Sequence, residues 1–241
     1  LDHVRQVLET AGRLDRFARD HSGGHRSLSL GIIPTVAPYL LPGVLAALRS
    51  GDVSLRVQIR EARTERLLSM LRTGEIDAAV LALPSGGADL HQQPLFEDRF
   101  LLAGSQERVS RLGINPEALR PIDLKAAQLM LLEDGHCLTD QALEVCGQDR
   151  TSGQINMGAS SLATLSRLVA EGFGLTLMPE LAARSETEAV PGLHLLRFGT
   201  PQPSRTIGLV RRGSTSSEDW FDDLSLVIRQ VGEGIVSRTR A

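Results

Sequence analysis

The chain is short of cysteine, of aromatic residues, of surplus positive charge and of long apolar runs. It has two cysteines in 241 residues. A count that low, with no secretory signal in view, fits a reducing cytoplasm, where disulfides are usually transient, catalytic or sensing. Aromatic residues make up 3 %, so the core must be built from Leu, Val, Ile and Ala. The net charge is -3, which does not suit a free-standing DNA binder. No apolar run approaches the roughly 18 residues of a membrane-spanning helix. The first residue is Leu1, and the chain reads as a fragment of a longer protein. What remains is an ordinary globular composition, 41 % hydrophobic and 23 % charged, long enough for one large or two small domains.

Leu1 to about Asp20 has the pattern of an amphipathic helix. Val4, Leu8, Ala11, Leu14 and Phe17 recur three and four residues apart. His21-Ser22-Gly23-Gly24-His25 then reads as a linker. Such a helix either joins a further domain or partner or lies on its own domain.

A βαβαβ rhythm follows. Ser27 to Ile33 reads as a strand, and Thr35 can cap a helix running to about Arg49. Pro38 and Pro42 are tolerable only near its first turns. Val53 to Arg60 alternates as a second strand. Thr64 to Arg72 is a second helix with Gly74 as its stop, and Asp77 to Leu83 suits a buried parallel strand. The rhythm repeats with strands at Phe100–Ala103, Gln128–Leu132, Gln154–Met157 and Leu175–Met178. Helices are expected at Cys137–Cys146 and Ser160–Glu171. Ser160 or Ser161 can cap the latter, and Gly172 or Gly174 can end it. A late strand at Arg205–Arg211 and a helix at Ser217–Val231 complete the pattern. The economical reading is two α/β halves, with the C-terminal segment returning to the first.

Both cysteines fall in one segment, Glu133 to Cys146, nine positions apart. A buried free cysteine is often only a small hydrophobe. Cys137 differs in three ways. It follows a Gly-His turn. It stands near a helix N-terminus, where unpaired amides favour negative charge. It also neighbours His136, whose protonated ring stabilises a thiolate. Asp140, one turn on, opposes a thiolate as a charge but can serve as a hydrogen-bond acceptor or proton relay. Cys146 lies three residues after Leu143 and can face the core. A structural role and a latent redox role for it are compatible.

Helical arithmetic adds a condition. In one continuous helix, nine residues separate the two alpha carbons by about 13 Å and place the side chains on opposite faces. A disulfide needs alpha carbons about 4.4 to 6.8 Å apart. If the pair bonds, the helix must unwind, and oxidation is coupled to refolding. The spacing lacks the further ligands of a zinc motif, and the reading calls for no metal and no cofactor.

The segment Leu131-Leu132-Glu133-Asp134-Gly135-His136-Cys137, with Asp140-Gln141-Ala142 and Cys146, resembles the hydrogen peroxide-sensing branch of the LysR-type transcriptional regulators. The flanks agree across nearly the whole chain. Gly31-Ile32-Ile33-Pro34-Thr35-Val36 with Pro38-Tyr39-Leu40-Leu41-Pro42 is similar to the family's first strand and helix. Glu61-Ala62, Thr64 and Leu67-Leu68 fit the start of its second helix. Gly174-Leu175-Thr176-Leu177 and Arg205-Thr206-Ile207-Gly208-Leu209-Val210 fit its C-terminal half. The cysteine motif is specific to this branch, and the flanking pattern is shared with many LysR-type proteins.

The resemblance implies an α/β fold of two Rossmann-like subdomains, of the type II periplasmic-binding-protein kind, joined by two crossovers. It implies a linker helix and hinge over 1–24, one regulatory subdomain over 25–98 with 202–241, and a second over 99–201. It casts Cys137 as the sulfur that attacks peroxide and Cys146 as the one that resolves the sulfenic acid in a Cys137–Cys146 disulfide. It makes Thr35, Thr64, His136 and Asp140 residues that line the peroxide pocket or relay protons, although helix capping alone would also account for the threonines. It also implies a cytoplasmic homodimer or homotetramer that is not an enzyme. Promoter DNA would be bound through an N-terminal winged helix-turn-helix outside this sequence, with RNA polymerase and a glutaredoxin or thioredoxin reductant as partners. Two other readings are a metabolite-binding module without thiol chemistry and a thiol peroxidase.

Overall fold

A computed structural model of the chain describes residues 27–51, 56–113, 119–125, 128–148, 155–213 and 219–240. The helix and linker read over 1–25, and the start of the strand read from Val53, lie outside these residues. The chain divides into two compact units, Leu1–Leu95 with Gly208–Arg229 and Phe96–Ile207 with Gln230–Ala241.

The first unit is built on β1 (Ser27–Ile32), α1 (Ala37–Gly51), β2 (Arg56–Glu61), α2 (Thr64–Thr73) and β3 (Ala78–Leu83). β1 pairs in parallel with both β2 and β3. β3 reads Ala-Ala-Val-Leu-Ala-Leu and is buried through Ala82, as expected of a parallel strand covered on both faces. β2 has no buried residue and carries Arg56, Arg60 and Glu61, charges that protect an open sheet edge. α2 packs by Leu67, Met70 and Leu71. A Cβ at Gly31 would meet Ile76 Cδ1 at 2.6 Å and Leu67 Cδ2 at 2.7 Å, so glycine is what lets these side chains close on β1. Gly74 ends α2 with φ 74°, its N–H donating to the Leu71 carbonyl.

Two long strands, β4 (Leu90–Ser105) and β9 (Ser204–Arg212), each begin in one unit and end in the other. So does the final helix, α7 (Asp219–Arg240). β9 follows β3 in the sheet, and β4 follows β9.

Between those strands the second unit holds α3 (Gln106–Arg111), β5 (Met130–Leu132), α4 (Cys137–Val145), β6 (Ile155–Ala159), α5 (Leu162–Ala170), β7 (Thr176–Pro179), α6 (Glu180–Ala189) and β8 (Leu193–Arg197). β4 pairs antiparallel with β7 and β8, and β5 pairs in parallel with β6. Ser161 caps α5 by accepting from the Thr164 N–H at 3.2 Å. Gly172, at φ 82°, follows that helix.

Buried charge is concentrated at the start of α6. Asp98 of β4 accepts from the Leu181 N–H at 2.9 Å and pairs with Arg205 of β9 at 2.9 Å. Both side chains are buried. Burial pushes the Asp98 carboxyl pKa up, against the opposing pull of Arg205. Glu180, also buried, lies between Arg197 and Arg240, each at 2.7 Å.

The structure departs from the sequence reading in five elements. β4 runs over sixteen residues, where only Phe100–Ala103 was expected. α3, α6 and β8 were not expected at all. α7 extends to Arg240 rather than stopping at Val231.

Candidate thiol site

β5 is buried at all three positions and delivers the chain to a tight turn. The Glu133 N–H donates to the Ala159 carbonyl at 3.0 Å and the His136 N–H to the Glu133 carbonyl at 3.4 Å. Gly135 takes φ 90° inside the turn, a conformation that side chains resist. α4 then starts at Cys137 with His136 in the N-cap position. The His136 ring makes no capping bond to the helix, the Thr139 N–H donates to the His136 carbonyl at 3.0 Å, and the dipole of the terminus favours an anion there.

Helical periodicity sorts the segment. Leu138, Thr139, Ala142 and Leu143 are buried, whereas Asp140 and Glu144 face solvent. His136 is buried and Cys137 half-buried. Thr139 ties the first turn to β5, its hydroxyl donating to the Leu132 carbonyl at 3.0 Å in a buried hydrogen bond.

Cys146 closes the helix, its N–H donating to the Ala142 carbonyl at 3.1 Å. Its side chain has no solvent exposure. Burial pushes its thiol pKa from 9.0 to about 11. Gly147 follows at φ 60°, and Gln148 donates from its backbone to the Leu143 carbonyl at 2.9 Å and from its side chain to the Leu124 carbonyl at 3.4 Å.

Both cysteines are free thiols. They stand at opposite ends of one helix, about 13 Å apart by its rise. A Cys137–Cys146 bond is out of reach while α4 stays intact. Between Glu133 and Cys146 the chain has four carboxylates, Glu133, Asp134, Asp140 and Glu144, and no Lys or Arg. Within this segment, the features that favour a Cys137 thiolate are the helix terminus and a protonated His136.

Thr35 and Thr64 belong to the first unit, and His136, Cys137, Asp140 and Cys146 to the second. Thr35 is buried in the turn before α1, which starts two residues later at Ala37. Thr64 is not the cap of α2. Arg63 holds that position without a side-chain capping bond. Thr64 is the first helical residue, and its hydroxyl is buried with no hydrogen-bond partner among the described residues.

Sequence reasoning missed Gln141. It follows Cys137 by four residues and so shares its face of α4. Its Oε1 is buried and has no donor among the described residues. The Cys-x-x-x-Gln spacing was the available signal, but periodicity cannot show that an oxygen lacks a partner. A buried oxygen without a donor is uncommon in folded proteins.

The second unit of this α/β chain thus carries one half-buried thiol and one sealed thiol on a single helix. The chain belongs to the LysR substrate binding domain family, which matches residues 21–219. The type II periplasmic-binding-protein-like fold expected from the sequence is the fold of this family.

Within the family the chain is 36 % identical over 235 residues to a probable hydrogen peroxide-inducible genes activator of Mycobacterium avium, covering 96 % of this chain and 74 % of that protein. It is 37 % identical over 235 residues to the DNA-binding transcriptional dual regulator OxyR of Escherichia coli, covering 97 % and 76 %. Among solved structures it is similar to a cysteine mutant of Corynebacterium glutamicum OxyR bound to hydrogen peroxide. The TM-score is 0.75 and the identity 33 %, covering all of this chain and 76 % of the other. These relatives are transcriptional regulators.

Proposed function

We propose that the chain is the redox-sensing regulatory domain of a LysR-type transcriptional regulator that responds to hydrogen peroxide. The observation that carries this reading is the pair of thiols at the two ends of α4, one half-buried at its first residue and one sealed at its last. The Cys137 thiolate attacks one peroxide oxygen, the O–O bond breaks, and the leaving hydroxide takes up a proton to become water. Cys137 is left as a sulfenic acid. The Cys146 sulfur, as thiolate, attacks the Cys137 sulfur, and the second hydroxide leaves and is protonated. Two thiols and one peroxide become one disulfide and two waters.

His136 and Asp140 carry the protons of these steps, and Thr35 and Thr64 hydrogen-bond the peroxide oxygens. The unpartnered Thr64 hydroxyl supports its assignment. Thiol pairing requires α4 to unwind, and this refolding is the signal. It changes subunit packing in a homodimer or homotetramer and alters transcription activation at promoter DNA, which is bound through an N-terminal winged helix-turn-helix. RNA polymerase receives the signal, and a glutaredoxin or thioredoxin restores the thiols in the cytoplasm. The protein reacts once per signal and is not an enzyme.

The test is peroxide treatment of the reduced chain, with sulfenic acid trapping and peptide mapping. Sulfenic acid at Cys137 in a Cys146→Ser variant, and a Cys137–Cys146 link in the parent, are expected. Absence of both overturns the reading. Sustained peroxide consumption with a recycling reductant would point to a thiol peroxidase instead.

A further inference from the structure

We infer that the second unit carries a binding site for a small organic anion, apart from the cysteine segment, in an open cavity between α6, β8 and the last turn of α7. The cavity measures about 330 Å³, within the range of small-molecule sites. Arg184 of α6, Arg197 of β8 and Arg238 of α7 all line it, and among the described residues no carboxylate does. Leu101 and Leu195 supply apolar wall.

The three guanidinium groups differ in how they are held. Arg197 is fixed by Glu180 at 2.7 Å and by the Thr239 carbonyl at 2.6 Å, and its Nε–H has no acceptor among the described residues. Arg184 uses its Nε on Glu188 at 2.8 Å, and its terminal amino groups have no acceptor among the described residues. Arg238 makes no hydrogen bond or ion pair with the described residues. One pre-positioned and two available guanidinium groups suit a phosphate or carboxylate head, whose oxygens match the fork of N–H donors. The leucines beside them suit an apolar body on the same molecule. The chemistry selects an anion with a ring or short chain over a bare inorganic ion.

Calorimetric titration of phenyl phosphate into the 241-residue chain tests this, with inorganic phosphate as the comparison. Saturable one-to-one binding is expected, tighter for phenyl phosphate. Arg238→Ala and Arg184→Ala should each weaken it about tenfold, the usual effect of losing one charge-assisted hydrogen bond. Both side chains are exposed, so the fold should survive. Arg238→Lys should fall between the parent and the alanine variant. Arg49→Ala, on α1 of the other unit, should leave binding unchanged. No saturable binding at millimolar phenyl phosphate, or equal weakening by Arg49→Ala, overturns the site. Equal affinity for inorganic phosphate overturns its organic character. The three arginines are separate from the residues assigned to peroxide, so failure here leaves that proposal standing.

Discussion

Cys146 should be chemically silent in the folded, reduced protein. Its thiol pKa is about 11, so at pH 7 about one molecule in ten thousand carries the thiolate, against about one in a hundred for a thiol at 9.0. Iodoacetamide reacts with the thiolate, so the charge effect alone slows labelling about a hundredfold, and the sealed position of the sulfur slows it further. The assay is timed alkylation of the reduced chain, read by peptide mass spectrometry, in buffer and in denaturing urea. Cys146 should be protected at least a hundredfold by folding, and the folded rate should climb about tenfold per pH unit toward pH 11. The same shift fixes a stability trend. The folded thiol stays neutral above pH 9 while the unfolded one ionises, so this contribution is fully present below about pH 9 and lost as pH rises through about 11. A Cys146→Ala variant should lack that slope. Protection below tenfold, or an identical slope in the variant, refutes the reasoning.

Three further outcomes follow from the geometry. Thr139→Val removes the buried bond to Leu132 at 3.0 Å. A loss of about 1 to 3 kcal/mol confined to α4 should speed disulfide closure at least about fivefold in quenched-reaction mapping, and an unchanged rate would show that α4 need not open. Arg205→Leu leaves Asp98 buried without its 2.9 Å partner, and urea unfolding should show a loss of about 3 to 5 kcal/mol. Gly232 and Gly234 share α7, yet alanine should act with opposite sign at the two positions. At Gly232 a Cβ would strike the Phe96 ring, for a cost of about 1 to 3 kcal/mol. At Gly234 its nearest neighbour is Arg238 Nη1 at 3.9 Å, so the helix gains about 0.5 to 1 kcal/mol.

The legible parts of the fold were those where burial and periodicity coincide. β1, β3, α2 and α5 have apolar spacing that maps directly onto buried faces, and Gly74 and Ser161 act as the stop and cap that their residue types suggest. β4 was legible only where it is apolar. Its first five residues read Leu-His-Gln-Gln-Pro, because several of those side chains face solvent and the pairing is carried by backbone. α6 begins with a glutamate that is buried only because two distant arginines meet it, which local pattern does not encode. The thiol site was legible because it is local, with cysteines, histidine and helix start contiguous in sequence. The unpaired oxygens of Gln141 and Thr64 were not, because an empty hydrogen-bond position is a property of the surroundings.

α4 has nine residues, and an isolated helix below about 12 to 15 residues is marginal in water. Its persistence is therefore borrowed from its attachments, the Thr139 bond to β5, the buried Leu138 and Leu143, and the Gln148 bond to Leu124. The proposed disulfide has to outcompete those attachments and very little intrinsic helix. The threshold of such a sensor is thus adjustable at positions that never touch an oxidant. Substitutions at Leu138 or Leu143 would set how readily a given dose trips it and leave the chemistry at sulfur as it was.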